Sequence, residues 1–323
     1  MASVARPPGL LDRRLLFVTG KGGVGKTSVA VALAALAASL GRRTLVCQID
    51  AKGDLADVLE TEPLTYKPRE VLPGLHAMTM STEESLKEYL RLQLRIPLLA
   101  KIGPLARTFD FVATAAPGVK EILTVGKLAY EVRERHYDLV VVDSSATGHV
   151  VGQLAAPEAI REVVRVGAVR NQVDWILDIL QDPAQTGAVI VATAEEMPIT
   201  ETIELAASLG SNTHVDLAAV IVNQVLPELF GAREESLFDS LRTSTAHRKL
   251  VGEVGDGVDH VLDAAQLAVA RRRARAVHLD ALNEALGATV PVVYLPFLFA
   301  RRHGLRTTRR LSAALAAELG IEQ

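Results

Sequence analysis

Residues 20–27, with the sequence GKGGVGKT, have the composition and spacing of a phosphate-binding loop. Its glycines let successive backbone N–H groups turn toward one centre, where they can surround a phosphate. Lys26 is expected to reach the β- and γ-phosphates of a nucleotide, and the Thr27 hydroxyl is expected to ligate Mg²⁺. We therefore predict a site for a nucleotide and Mg²⁺. Its loop residues are Gly20, Gly22, Gly23, Val24, Gly25, Lys26, Thr27 and Ser28.

A second chemical signal is an aspartate at the end of an apolar run. Residues 138–143 read DLVVVD, and Asp143 closes the run. A buried strand that ends in a carboxylate is typical of phosphate-loop enzymes, where that carboxylate lies near Mg²⁺ or its waters. Asp143 is therefore a predicted magnesium ligand together with Thr27.

The elements that must position these residues follow from the hydrophobic pattern. The loop lies between an apolar run and an Ala-rich helical pattern, which is the context that the motif needs. Continuous Val/Ile runs alternate with helical patterns and predict strands that are buried on both faces of a parallel sheet. The predicted strands are 14–19, 43–49, 76–80, 138–143, 187–193, 218–223 and 291–295. We predict one domain over residues 1–323, an α/β fold with a doubly wound, mostly parallel sheet of the P-loop NTPase type.

Two intervals are too long for ordinary crossovers, about 81–136 and 227–286, and both have helical patterns. We expect them to be helical insertions that form a helical subdomain on one edge of the sheet. In the first interval, Leu86, Leu90 and Leu94 recur every four residues, which predicts an amphipathic helix. Such a stripe either lines a groove or packs into the core, and the sequence leaves both alternatives open.

Composition excludes several classes of protein. The 35 Lys and Arg residues against 38 Asp and Glu residues, with 4% aromatic residues, argue against a nucleic-acid binder. The single cysteine, Cys47, excludes a disulfide framework and fits a reducing cytoplasm. The longest uncharged apolar run, 28–40, is shorter than the roughly 20 residues that cross a bilayer. We expect a cytoplasmic protein whose membrane role, if it has one, is peripheral or through a partner.

The phosphate loop carries a second lysine, Lys21, and in this it resembles the loop of the signature-lysine ATPases. That class includes the nitrogenase iron protein, the division-site and plasmid-partition ATPases, the arsenite-pump ATPase and the tail-anchored-protein-targeting ATPase. Its members work as face-to-face dimers in which the extra lysine reaches the partner's nucleotide. The resemblance implies catalytic roles for Lys21 and Lys26 in a homodimer, or in a heterodimer with a paralogous ATPase. The alternative is that Lys21 is a solvated loop residue.

Two later segments narrow the resemblance to the arsenite-pump and tail-anchored-protein-targeting family. Residues 50–57, DAKGDLAD, are similar to that family's DPAHNLSD, and residues 143–149, DSSATGH, resemble its DTAPTGH. The resemblance implies that Asp50 positions the attacking water and also lies at the magnesium site. Positions 51–54 depart from the family pattern, and a turn or helix-capping aspartate is the alternative for Asp50.

Further matches cover the second half of the chain. Asn223, at the end of a predicted strand, resembles the family's adenine-reading asparagine, and a carboxamide can pair with the donor–acceptor edge of adenine. The LPFL segment at 295–298 resembles the loop over the base, which implies adenine contacts by Pro296 and Phe297. Residues 108–125 resemble bacterial members described as anion-transporting ATPases.

The resemblance implies Mg-dependent ATP hydrolysis by a dimer that binds and releases a partner. We expect targeting or chaperoning of membrane-protein clients. Energising a membrane anion transporter is one alternative, and a non-hydrolysing regulatory or scaffold partner of a paralogous ATPase is another. The segment 264–273, AAQLAVARRR, resembles the one that holds the zinc-binding cysteines of eukaryotic targeting ATPases, and alanines stand at the cysteine positions, so we expect no zinc. One cysteine cannot supply an iron–sulfur cluster or a cysteine set for metalloid.

Overall fold

A computed structural model of the chain describes residues 9–49, 54–93, 118–144, 147–228, 230–231, 234, 238, 240–241, 244–255, 257–301 and 303–322. The strands are β1 (Leu15–Gly20), β2 (Thr44–Gln48), β3 (Arg69–Leu72), β4 (Leu75–Thr79), β5 (Leu139–Asp143), β6 (Thr186–Thr193), β7 (Leu217–Val225) and β8 (Val292–Pro296). The helices are α1 (Lys26–Ser39), α2 (Asp54–Val58), α3 (Thr82–Gln93), α4 (Val119–Arg133), α5 (Thr147–Val163), α6 (Ala168–Leu180), α7 (Glu196–Asn212), α8 (Ser244–Val254), α9 (Val258–Leu286) and α10 (Leu305–Glu318).

The strands form a single sheet in the order β3-β4-β2-β5-β1-β6-β7-β8. Every neighbouring pair is parallel except β3 and β4, which are antiparallel. Each predicted strand is present, and the α/β prediction of a doubly wound, mostly parallel sheet is confirmed. The sequence pattern missed β3, a four-residue edge strand joined to β4 by Pro73 and Gly74. Only two of its residues are strongly apolar, so it has little periodicity to detect.

Alternate residues of the strands pack into two apolar layers. Leu16, Val18 and Val141 face one layer, which contains α1 and α10. Leu15 and Phe17 face the other layer, which contains α4, α6 and α7. The strands are therefore buried on both faces, which is the reason for their continuous apolar runs. Among the described helices, none combines the length and the apolarity that a membrane crossing requires.

The first predicted insertion lies over the middle of the sheet. Its helix α4 contacts the central strands β5 and β1 as well as α5 and α6. The expected position on one edge of the sheet was therefore wrong. The reason is an apolar stripe, Val125, Leu128, Ala129 and Val132, that is buried against the strands. Residues 94–117 of this insertion lie outside the described part of the chain.

The second predicted insertion, 227–286, contributes α8 and the 29-residue α9. Helix α9 packs on α7, and Leu282 near its end is buried in the same layer as α4. Both insertions therefore add helices to the same face of the sheet, since α4 of the first and α9 of the second lie in one layer with α5, α6 and α7. That layer covers the strands next to the phosphate loop.

A steric constraint at the start of the loop gives a stability prediction. A Cβ atom at Gly20 would lie 2.1 Å from the Val191 carbonyl oxygen of β6, and Gly20 has φ +142°. Since backbone cannot move aside cheaply, Gly20→Ala is expected to lower the free energy of unfolding by roughly 2–3 kcal/mol. Denaturant unfolding without nucleotide measures this.

Gly22→Ala is the matched control, in the same loop and with the same added methyl. A Cβ at Gly22 meets no atom of the described residues within 4 Å, so a change within about 0.5 kcal/mol is expected. Equal losses in the two variants would contradict the proposed steric cause.

Candidate functional site

The carboxyl ends of the parallel strands bring the predicted site residues to one edge of the sheet. Gly20 ends β1, Gln48 ends β2, Asp143 ends β5, and Asn223 lies near the end of β7. This edge is where doubly wound sheets bind ligands, because the connecting loops open there. Residues more than a hundred positions apart in the chain therefore come together around the phosphate loop.

The phosphate loop has the backbone that wrapping a phosphate requires. Gly23 has φ +87° and Gly25 has φ +90°, conformations that L side chains rarely adopt. Helix α1 begins at Lys26, so Thr27 and Ser28 lie in its first turn, at the positive end of the helix. The Lys26 ammonium donates a hydrogen bond to the Lys21 carbonyl oxygen at 3.0 Å, which folds the side chain back over the loop.

A hydroxyl and a carboxylate meet at the start of α1. The Thr27 hydroxyl donates to Asp143 Oδ2 at 2.8 Å, and the Gln48 amide donates to the same oxygen at 3.4 Å. The Asp143 residue is only 5% exposed. Burial raises the pKa of its carboxyl to about 6, although these two hydrogen bonds and the Lys26 charge act in the opposite direction. An ionised carboxylate at this position is therefore costly without a further cation.

The donor set fits a magnesium ion. Gln48 Oε1 and Ser144 Oγ are buried and have no hydrogen-bond partner within the described part of the chain. Gln48 contacts Asp143, and Ser144 follows Asp143 in the chain, so both oxygen atoms lie near that carboxylate. Mg²⁺ prefers oxygen ligands and bound waters. Thr27 and Asp143 would hold the ion directly or through water. A Mg²⁺ ion that arrives with ATP would then give Asp143 the positive charge that its surroundings lack.

Asn223 lies against the phosphate loop. Its amide Nδ2 donates to the Val24 carbonyl oxygen at 2.9 Å, and a Cβ at Gly25 would lie 2.4 Å from that nitrogen. The Phe297 backbone N–H donates to the Val225 carbonyl at 2.8 Å, which places the 296–297 segment beside the strand that carries Asn223. The predicted adenine-side residues are therefore neighbours, and one Asn223 N–H is engaged by the loop. Adenine contact by Asn223, Pro296 and Phe297 stays a prediction.

Lys21 forms an ion pair within its own chain. Its ammonium lies 2.6 Å from Glu201 Oε1 of α7, and both side chains are 29% exposed. The sequence had given Lys21 a role only through its resemblance to the signature lysine, and Glu201 was not among the predicted site residues. Asp50 lies outside the described residues, so its predicted roles at the water and the metal stay predictions.

Sequence reasoning missed Gln48, Ser144 and Glu201. Gln48 left a usable signal, because it is a polar residue that closes the apolar strand TLVCQ at the edge of the sheet that carries the phosphate loop. Glu201 left none, since it lies 180 residues from Lys21 in the chain and on a helix with other acidic residues. Contacts of this kind depend on the tertiary fold alone.

Comparison with known proteins gives a consistent assignment. A family model described as "Anion-transporting ATPase" matches residues 13–177 and 166–250, more than half of the chain. The ATPase BagA of Mycobacterium tuberculosis is 28% identical over 237 residues, which cover 70% of this chain and 69% of that protein. An inferred arsenical pump-driving ATPase of Halobacterium salinarum is 28% identical over 301 residues, covering 86% of this chain and 44% of that protein. An ATPase ASNA1 homolog of Entamoeba dispar is 25% identical over 255 residues, which cover 66% of this chain and 76% of that protein.

The raised pKa of Asp143 predicts a pH effect on stability. Because the folded protein holds this proton more tightly than the unfolded chain, the group lowers the free energy of unfolding as pH rises from about 4 to 6, and has no further effect above that window. Asp143→Asn removes the titration. The free energy of unfolding of the variant minus that of the wild type is therefore expected to increase by roughly 2–3 kcal/mol across the window.

Denaturant unfolding at several pH values, in EDTA and without nucleotide, measures the difference. Asp178→Asn, at an exposed position of α6, is the control and should follow the wild type. A wild-type pH dependence that persists unchanged in Asp143→Asn would show that another group causes it.

Proposed function

We propose a function from the premise that the chain belongs to the anion-transporting ATPase family and is an ATPase. It hydrolyses MgATP as a nucleotide-switched dimer in the cytoplasm, and it binds and releases an apolar segment of a membrane-protein client. The observation that carries the client role is an apolar cavity in the helical layer, separate from the nucleotide site.

This helical cavity lies among α3, α4, α5 and α6 and has a volume of about 600 Å³. Its size and largely apolar lining are those of a site that holds an apolar ligand or segment. Leu86, from the predicted leucine stripe, lines it, which supports the groove alternative for that stripe. The side chain of Leu90 and the whole of Leu94 lie outside the part of the chain that the structure describes. Apolar residues that line the cavity include Leu86, Ile122, Leu123, Ile160, Val163 and Val173.

Exposed valines support a docking role for the cavity. Val163, at the end of α5, is 82% exposed and lines the cavity, and Val169 at the start of α6 lines it and is 46% exposed. Apolar side chains in contact with water at the opening of an apolar cavity mark interaction sites in other proteins. An apolar helix of a client would remove them from water.

Helix α5 connects the nucleotide site to this cavity. It begins at Thr147, four residues after Asp143, and it ends at Val163. A helix of this length spans about 25 Å. Movement of its first turn, when ATP and Mg²⁺ occupy the site or when phosphate leaves, would move the cavity wall at the other end. The helix thus supports the proposal that nucleotide state controls client affinity.

The chain's own groups would divide the catalytic work. The loop N–H groups and Lys26 hold the phosphates, Thr27 and Asp143 hold Mg²⁺, and Asp50 orients the attacking water. Bound Mg²⁺ supplies charge neutralisation at the β- and γ-phosphates. Asn223, Pro296 and Phe297 contact the adenine. Lys21 reaches the nucleotide of the partner subunit when the dimer closes.

Energising a membrane anion transporter is the second candidate, because the family description favours it. For metalloid anions the chemistry is unfavourable, since Cys47 is buried in β2 and burial raises the pKa of its thiol to about 12. Membership in an ATPase family also favours hydrolysis over a non-hydrolysing regulatory role. The transporter model does not need the exposed apolar opening of the helical cavity.

Replacing Lys21 tests the dimer mechanism. Lys21→Ala keeps the loop glycines, Lys26, Thr27 and Asp143, so MgATP binding should persist. Turnover should fall by roughly 10³-fold if the ammonium stabilises the transferring phosphate across the interface. Equilibrium binding of MgATP and steady-state hydrolysis measure the two effects, and unchanged turnover would remove Lys21 from this role.

A pair of valine substitutions tests the client site. Val163 and Val166 are 82% and 83% exposed and lie three residues apart, but only Val163 is among the lining residues of the cavity. Val163→Asp should reduce capture of a single-span C-terminal membrane segment about tenfold, because it places a charge at an apolar opening. Val166→Asp should capture it as the wild type does.

Capture is measured with a fluorescent model segment in the presence of MgATP, and both variants should hydrolyse ATP normally without client. Equal capture by the two variants would contradict the cavity as the client site. Failure of the wild type itself to capture the segment would favour the second candidate.

A further inference from the structure

The ion pair between Lys21 and Glu201 gives the phosphate loop a regulated lysine. We propose that Glu201 is a positioning residue that holds the Lys21 ammonium on its own subunit until an ATP-bearing partner displaces it. Closing the dimer then exchanges a carboxylate for a phosphate at this lysine. The inference rests on the proposed nucleotide-switched dimer and adds the group that opposes its closure.

Both ends of the ion pair are on fixed elements. On the helix side, Ile199, Thr202 and Leu205 are buried around Glu201, so α7 cannot turn its carboxylate away easily. Just before α7, Glu195 pairs with Arg275 of α9 at 2.6 Å, which anchors the start of the helix a second time.

The loop side is equally constrained. The peptide that carries Lys21 accepts the Lys26 ammonium at its carbonyl, and the preceding Gly20 lies against the β6 backbone. Asn223 holds the other end of the loop through Val24. Because both backbones are already fixed, forming the pair orders only the two side chains, and each of these is largely withdrawn from solvent.

Charge balance gives the pair a purpose beyond packing. Lys21 and Lys26 stand in one short loop, and before nucleotide binds their charges repel each other. The Glu201 carboxylate neutralises Lys21, while Lys26 is folded onto the backbone. A polyphosphate carries more negative charge than one carboxylate and can replace Glu201 as the partner of Lys21, but only after the ion pair with Glu201 has been broken.

The same geometry makes the pair a barrier to premature closure. While its ammonium is held at 2.6 Å by a carboxylate of the same chain, Lys21 is unavailable to a nucleotide in another subunit. The fraction of subunits with a released lysine therefore sets the apparent strength of the closed dimer. ATP would favour closure because it offers the additional phosphate.

The test measures ATP turnover per molecule as a function of protein concentration. It gives two quantities, the protein concentration at which turnover is half-maximal and the turnover at saturating protein. Glu201→Gln is isosteric and removes only the charge. It should lower the half-saturating protein concentration about fivefold for each pair released, up to about 25-fold when both protomers carry the variant. Turnover at saturating protein should stay unchanged, because the closed state has already lost the pair.

Two controls separate this mechanism from a general field effect. Glu204→Gln removes a carboxylate from an exposed position on the same helix and should behave as the wild type. The double variant Lys21→Ala/Glu201→Gln should form the nucleotide-dependent dimer at the same protein concentration as Lys21→Ala alone, because no lysine is left to release. Analytical ultracentrifugation in MgATP measures this. Glu201→Asp keeps the charge and should restore most of the wild-type concentration dependence.

A half-saturating concentration that is the same in Glu201→Gln and wild type would overturn the inference while leaving the dimer intact. A shift that persists in the Lys21→Ala background would overturn it as well, because the carboxylate would then act without the lysine. A wild-type turnover per molecule that does not depend on protein concentration would instead count against the dimer proposal itself, and the inference would fall with it.

Discussion

The close approach of the phosphate loop to the sheet is the constraint on which the rest of the site depends. Glycine is required at position 20, where a Cβ would lie 2.1 Å from the Val191 carbonyl oxygen of β6, and it is favoured at position 25, where φ is +90° and a Cβ would lie 2.4 Å from the Asn223 amide nitrogen. These contacts hold the loop against β6 and β7. The sheet order has β5 on one side of β1 and β6 followed by β7 on the other, which brings the Asp143 carboxylate to one side of the loop and the Asn223 amide to the other.

Burial of a charge gives this arrangement its chemical character. Asp143 lies at the end of a fully buried strand and accepts hydrogen bonds from Thr27 and Gln48, but these do not compensate for its loss of water. The ionised form of the Asp143 carboxylate is therefore unstable unless a further positive charge lies beside it. A magnesium ion brought in with ATP supplies that charge, which links nucleotide binding to the electrostatics of the folded protein.

The remaining architecture joins this charged site to an apolar one. The first turn of α5 follows Asp143, and its last residue is an exposed valine at the opening of the helical cavity. On the other side of the loop, Lys21 is held by α7, which is itself held by α9 through Arg275 and Glu195. In the proposed function, α5 connects ATP binding and hydrolysis to the client cavity, and α7 connects them to the partner subunit through Lys21.

The sequence by itself determined the parts that depend on neighbouring residues. The glycine spacing, Lys26 and Thr27 define the loop, continuous apolar runs define the strands, and Asp143 and Asn223 stand at strand ends, where a parallel sheet collects them. Local patterns could not place α4 over the middle of the sheet, since its apolar stripe fits any apolar face. Edge strand β3 was too short and too polar to be recognised.

Only the tertiary structure decided which side chains meet. Gln48 reaches Asp143 because β2 and β5 are adjacent in the sheet, although 95 residues separate them in the chain. Glu201 reaches Lys21 across 180 residues for the same kind of reason, the packing of α7 beside β1 and β6. An ion pair between two distant elements leaves no periodicity in the sequence. Its partners are fixed by the positions of the elements that carry them, and those positions follow from the burial of the whole apolar surface.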